Sequence, residues 1–119
     1  MDTRQAIISF SQSEKIKSGL IWCSQCAQLA DHMNQPEQQG AVRVLQALVA
    51  MLANEMQLAR QTTAEAIWLE AEKMLNKARV MIDSGISQEA VHHFTQTLSQ
   101  VNRIGQKAMG DLIDKGLMK

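Results

Sequence analysis

The chain has 119 residues, of which 12 are basic and 12 acidic, so its formal net charge is zero. That length carries one domain, residues 1–119, with a core of its own. The charge balance speaks against non-specific attachment to nucleic acid or to an anionic membrane as the main task. Two cysteines are too few for the disulfide framework of a secreted scaffold this size. The first fifteen residues hold no apolar run long enough for a secretory signal, so the expected location is the cytoplasm, with reduced thiols. Helix-forming residues dominate and proline occurs once, which places the chain in the all-α class.

At the N-terminus, Asp2 to Phe10 reads two ways: a short extra helix capped by Asp2 and Gln5, or an extended arm held on the body by Ile7 and Phe10. Ser11 and Glu14 then have capping-box spacing, which predicts a first long helix from Ser11 to about Met33. Ile16, Leu20, Cys23, Ala27 and Ala30 form one apolar row on it. Trp22, Cys26, Leu29 and Met33 form a second. Gly19 lies inside this helix, where it costs roughly 1 kcal/mol relative to alanine and suits a close crossing. Asn34-Gln35-Pro36 breaks the pattern, and proline fits the first turn of the next helix.

The second helix is unusually apolar. Val42, Leu45, Val49, Leu52, Met56 and Ala59 line one face at three-four spacing, and Val44, Leu48, Met51 and Leu58 make a second row beside it. A surface helix normally buries a stripe a little over ~100° wide; two rows demand cover from two or more sides, by the same chain or by another copy. Arg43, Gln46, Asn54 and Glu55 interrupt the run, and a membrane span needs about 20 mostly apolar residues, so no membrane is expected. The end of this helix reads two ways. Thr62 and Glu65 again have capping-box spacing, which favours a turn near Gln61 and Thr62. The alternative is one long helix over residues 36–84, which would favour dimerisation.

The third helix, Thr63 to Asp83, buries Ala64, Ile67, Trp68, Ala71, Leu75, Ala78 and Ile82, and Asp83-Ser84-Gly85 ends it. Ser87 caps the fourth, where Val91, Phe94, Leu98, Val101, Gly105, Ala108 and Leu112 keep a heptad down to a stop near Lys115 and Gly116.

Several patterns resemble chemical sites. Trp22-Cys23-x-x-Cys26 has redox-box spacing, but such a box sits at a strand-to-helix junction where the helix dipole lowers the thiol pKa; mid-helix, both cysteines read as small hydrophobes. Cys23 and Cys26 are also metal-ligand candidates, lacking a second pair at matching spacing. Glu89-x-x-His92 matches one half of the carboxylate-bridged bundle motif, of which this chain has a single copy; Glu89 also suits the positive dipole of a helix's first turn. Lys73, Lys77 and Arg79 on the third helix, with Arg103 and Lys107 on the fourth, could meet phosphates, although acidic residues stand near each cluster and no aromatic platform accompanies them. A ligand cavity would need Trp22, Trp68 and the methionines Met51, Met56 and Met74 to converge. No phosphate loop, metalloprotease motif or nucleophile elbow occurs, so no enzymatic activity and no cofactor are expected.

The sequence therefore predicts an all-α, antiparallel four-helix bundle that works by protein–protein assembly, as a homo-oligomer or as a small subunit of a larger complex. Val42, Val49, Met56, Gly105 and Ala108 are the expected interface residues. The alternatives are a helical subunit of a nucleoprotein complex that contacts the nucleic-acid backbone, or a metal- or ligand-binding bundle.

Overall fold

The computed structural model describes residues 1–118. Four helices follow one another: α1 (Thr3–Ala30), α2 (Gln35–Thr63), α3 (Ile67–Asp83) and α4 (Ser87–Asp114). Short turns join them, so sequential helices run antiparallel. Each packs on two neighbours in a closed ring, α1 on α2, α2 on α3, α3 on α4 and α4 on α1. The result is a four-helix bundle about 53 Å long.

The expected extra N-terminal element does not exist as a separate piece; it is the first two turns or so of α1. The start is the capping box of Asp2 and Gln5, not that of Ser11 and Glu14. The Asp2 carboxylate accepts from the Gln5 amide at 2.7 Å, and the Gln5 carbonyl Oε1 accepts from the Asp2 amide at 2.9 Å. Ser11 is exposed mid-helix, and Glu14 pairs with Lys17 instead. Burial explains the extension: Ala6 is fully covered in a small cluster with Ala108 and Leu112 of α4, so the added turns lengthen the α1–α4 seam.

The long helix over residues 36–84 is also absent. α2 begins at Gln35 under an Asn34 cap with Pro36 in its first turn, and it ends at Ala64, which takes a left-handed conformation (φ 55°, ψ 27°). The Thr62–Glu65 box does not form. Thr63 ends the helix: its hydroxyl donates to the Ala59 carbonyl at 2.7 Å and accepts from the Glu65 amide at 3.3 Å. Two terminal carbonyls of α2 receive donors from the first turns of α1, Thr63 from Gln5 Nε2 at 2.7 Å and Thr62 from an Arg4 Nη at 3.4 Å. The helix stop is thus satisfied by the same N-terminal turns that the Ser11 cap would have left out. α3 consequently starts at Ile67, not Thr63, and Ala64, expected in its buried row, is exposed at the turn. At α4, Ser87 is buried in the first turn and makes no capping bond. Gly85 and Gly116 take positive φ at the ends of α3 and α4, as their spacing predicted.

The core follows the predicted first rows. Ile16 and Leu20 of α1, Leu45, Val49 and Met56 of α2, Trp68, Leu75 and Ile82 of α3, and Phe94, Val101 and Ile104 of α4 are each almost wholly buried. Trp68 Nε1–H reaches diagonally toward Ser9 Oγ of α1 at 3.4 Å, giving the indole a polar partner inside an apolar core. Gly105 explains why α1 and α4 approach so closely. A Cβ there would stand 2.6 Å from Ser13 Oγ and 3.3 Å from Ser13 Cβ. Gly19 has the same role at the α1–α2 crossing, where a Cβ would overlap the end of Leu52.

Candidate interaction surface

The ring accounts for one apolar row on each helix. It leaves the second rows of α1 and α2 open, side by side on one face. On α2 this row is Val44, Leu48, Met51, Glu55 and Leu58, and on α1 it is Lys15, Gly19, Trp22, Cys26 and Leu29; α1 stops at Ala30 rather than at the expected Met33, which lies in the turn. Both repeat at alternating spacings of four and three, the heptad spacing of a packed seam. Trp22 is 64% exposed, Met51 and Val44 each 61% and Leu29 60%; Leu48 and Met33 are half-buried. Between the rows runs an apolar cleft of about 280 Å³, bounded by Gly19, Trp22, Leu48, Met51 and Leu52. Leu52 fills the place of the missing Gly19 side chain, and the cleft opens beside it, next to Trp22.

One end of this face is charged. Lys15 Nζ donates to Glu55 Oε1 at 2.9 Å, and Gln12 Nε2 donates to Glu55 Oε2 at 3.2 Å. The hydrogen bond from Lys15 holds the Glu55 carboxyl below its ordinary pKa, against a smaller upward push from burial. The ion pair also fixes the height at which the two rows meet: Lys15 is level with Glu55, and Trp22 with Leu48 and Met51.

No family model, no curated protein and no solved structure matches the chain.

The two cysteines diverge. Cys23 is buried in the core while Cys26 is exposed on the open face. Burial, with a smaller contribution from Cys26, pushes the Cys23 thiol up to about 11, the opposite of what a redox nucleophile requires. Neither cysteine lies near enough to other ligands for a metal: among the described residues no group of three or more His, Cys, Asp or Glu side chains could hold an ion. Glu89 and His92 are exposed near the start of α4, with no second Glu-x-x-His unit beside them. His92 and His93 rings stand 5.6 Å apart and tilted.

Lys73, Lys77, Arg79, Arg103 and Lys107 are all exposed. Lys73 pairs with Glu70 at 3.4 Å, and Lys73 and Arg79 line a shallow α2–α3 groove together with the acidic Glu72, while Arg103 and Lys107 sit on α4. The mixed charge of that groove weakens it as a phosphate track. The proposed ligand cavity does not assemble: Trp68 and Met56 are core, whereas Trp22 and Met51 look outward.

The residues expected at an interface are placed mainly inside the chain. Val49, Met56, Gly105 and Ala108 are buried in the ring, and Val42 is half-buried. The small-residue approach at Gly105 and Ala108 is made by α1 of the same chain. The face left open is instead the one carrying Trp22, Leu29, Val44, Leu48 and Met51. Its signal was present in the sequence as a second heptad-spaced row on two consecutive helices; what the sequence lacked was which of the two rows the chain covers itself.

Among the described residues no helix is long and apolar enough to cross a membrane.

Proposed function

We propose that the chain is a non-enzymatic helical interaction module, a homo-oligomer or a small subunit of a larger complex, that docks through the α1–α2 face. The observation that carries this reading is the pair of parallel, heptad-spaced apolar rows exposed on that face, with Trp22 at their centre. Taking the face as about 15 residues of helix length across two adjacent helices gives roughly 22 Å by 20 Å, or about 450 Å², within the range of the largest apolar patch on a typical monomer. Covering the exposed part of Trp22 removes on the order of 150 Å² from water, about 3–4 kcal/mol before association costs. Tryptophan and methionine are also enriched among interface residues, and a central tryptophan is a common hot spot.

The test is site-specific photo-crosslinking in native cells, with the reactive residue at position 51 on the face or at position 103 on the far side. Discrete adducts from position 51 and none from position 103 are expected. Equal yields from both, or no adduct from position 51, would refute the docking role of this face.

A further inference from the structure

Resting on that reading of the α1–α2 face, we infer that its occupant is a second copy of the same chain, related by a two-fold axis parallel to the bundle. Such an axis sets α1 of one copy opposite α2 of the other, antiparallel and at the same height. The ion pair between Lys15 and Glu55 fixes that height within the chain. Across the axis, Lys15 of one copy therefore meets Glu55 of the other, twice, giving four charges of alternating sign at one end of the interface. Trp22 meets Leu48, and Gly19 meets Met51, a large side chain over the apolar cleft beside Trp22. One turn on, Cys26 meets Val44.

Three features favour this occupant. First, the rows are heptad-spaced on both helices, so they fit helices lying nearly parallel to them, and a second copy supplies two such rows of matching length. Second, charge complementarity selects the axis. A two-fold perpendicular to the helices would set α1 against α1 and cover the Lys15–Glu55 ion pair with the apolar Leu29 region, with no charge facing it. The parallel axis sets the ion pair of one copy against that of the other in the opposite sense, so each charge gains a second neighbour of opposite sign. Third, the face of about 450 Å² in flat projection, below the roughly 800 Å² per partner of a standard stable interface, suits a dimer of micromolar strength, and a net charge of zero sets no overall repulsion between copies.

The experiment is light scattering after gel filtration, and sedimentation, over ~1–200 µM chain, a range that brackets micromolar dissociation constants. The wild type is expected to be a dimer at the upper end. Trp22→Glu and Met51→Glu are expected to weaken it at least about tenfold with unchanged helical circular dichroism, since both side chains are exposed in the single chain; Arg103→Glu is expected to leave it unchanged. Lys15→Glu and Glu55→Lys each put four like charges together in their own dimer and weaken it. Mixed one to one, they form a heterodimer tighter than either parent by about tenfold or more. Because the mixed chains keep their like-charged pairs within each copy, that rescue arises between copies.

A wild type monomeric throughout overturns the inference, as does a dimer indifferent to Trp22→Glu and Met51→Glu. A face-dependent dimer with no rescue on mixing overturns the parallel axis. A monomer whose residue 51 crosslinks to a different protein, or which partitions onto lipid vesicles through Trp22, also overturns self-pairing. The crosslink to another protein would leave the docking role of the face standing.

Discussion

Replacing Gly105 by alanine separates local helix preference from packing between helices, because the two act in opposite directions. Alanine is favoured over glycine inside a helix by about 0.8–1 kcal/mol. Against this, the new methyl group would stand 2.6 Å from Ser13 Oγ, well inside van der Waals contact. The hydroxyl cannot swing away freely: it is buried and donates to the Phe10 carbonyl at 2.8 Å. Overpacking of this kind costs about 1–3 kcal/mol, and breaking the hydrogen bond adds about 1 kcal/mol. The expected net effect of Gly105→Ala is a loss of about 1–3 kcal/mol, read as a fall in the urea midpoint at constant slope. Gly110→Ala is the control, since nothing stands within 4 Å of its added carbon, and it should stabilise by about 0.5–1 kcal/mol. Adding Ser13→Ala to Gly105→Ala removes the nearest atom and should recover about half of the loss, a coupling measurable in a double-mutant cycle. If Gly105→Ala stabilises the protein as Gly110→Ala does, α1 and α4 do not approach at Ser13 and the packing described for that seam is wrong.

Two further outcomes concern the thiols and the acid limb. In dilute native protein at pH 8, Cys26 should react rapidly with a thiol reagent and Cys23 should react only on unfolding, because one is exposed and the other is buried with its pKa raised to about 11; two fast thiols would contradict the placement of Cys23. Glu55 has a lowered pKa in the folded chain, chiefly from the Lys15 hydrogen bond. Its contribution is therefore complete above the ordinary carboxylate range of about 4–4.5 and is lost as pH falls through the folded value. Lys15→Met should remove under about 1 kcal/mol at neutral pH, given the exposure of the lysine, and should flatten the acid side of the stability profile below pH ~5. An unchanged acid limb would show that the pair has no thermodynamic weight.

The parts of the fold that could be read from the sequence were those in which one signal stood alone. Pro36 with Asn34 before it marked the α1–α2 turn, Gly85 marked the α3–α4 turn, and the rows Ile16–Leu20–Cys23–Ala27 and Leu45–Val49–Leu52–Met56 gave the core. Where two signals competed, spacing could not choose. Both Asp2–Gln5 and Ser11–Glu14 satisfy the cap pattern, and the decision comes from Ala6 finding cover on α4 beside Ala108 and Leu112, a contact about a hundred residues away in the chain. The α2–α3 turn carries no glycine or proline because Ala64 takes the left-handed conformation, at a cost of roughly 1 kcal/mol, while Gln5 and Arg4 satisfy the carbonyls of Thr63 and Thr62. The interaction surface was half visible: the surplus apolar row of α2 was plain. Its pairing with the Trp22 row of α1 depended on which sides of the two helices the ring would use.

The ring order also has a kinetic consequence. Three of its four seams join helices consecutive in the chain, so those contacts are local and suit rapid folding. The fourth, α1 against α4, joins the two ends of the chain, and its contacts carry the largest loop-closure entropy. It is the seam expected to close last and to open first. Strain placed there, as at Gly105 against Ser13, falls on contacts absent from the transition state; it should quicken unfolding and leave the folding rate nearly unchanged. The lifetime of the folded chain is then governed by how well the α1–α4 seam holds, and the α1–α2 hairpin that carries the open face forms independently of it.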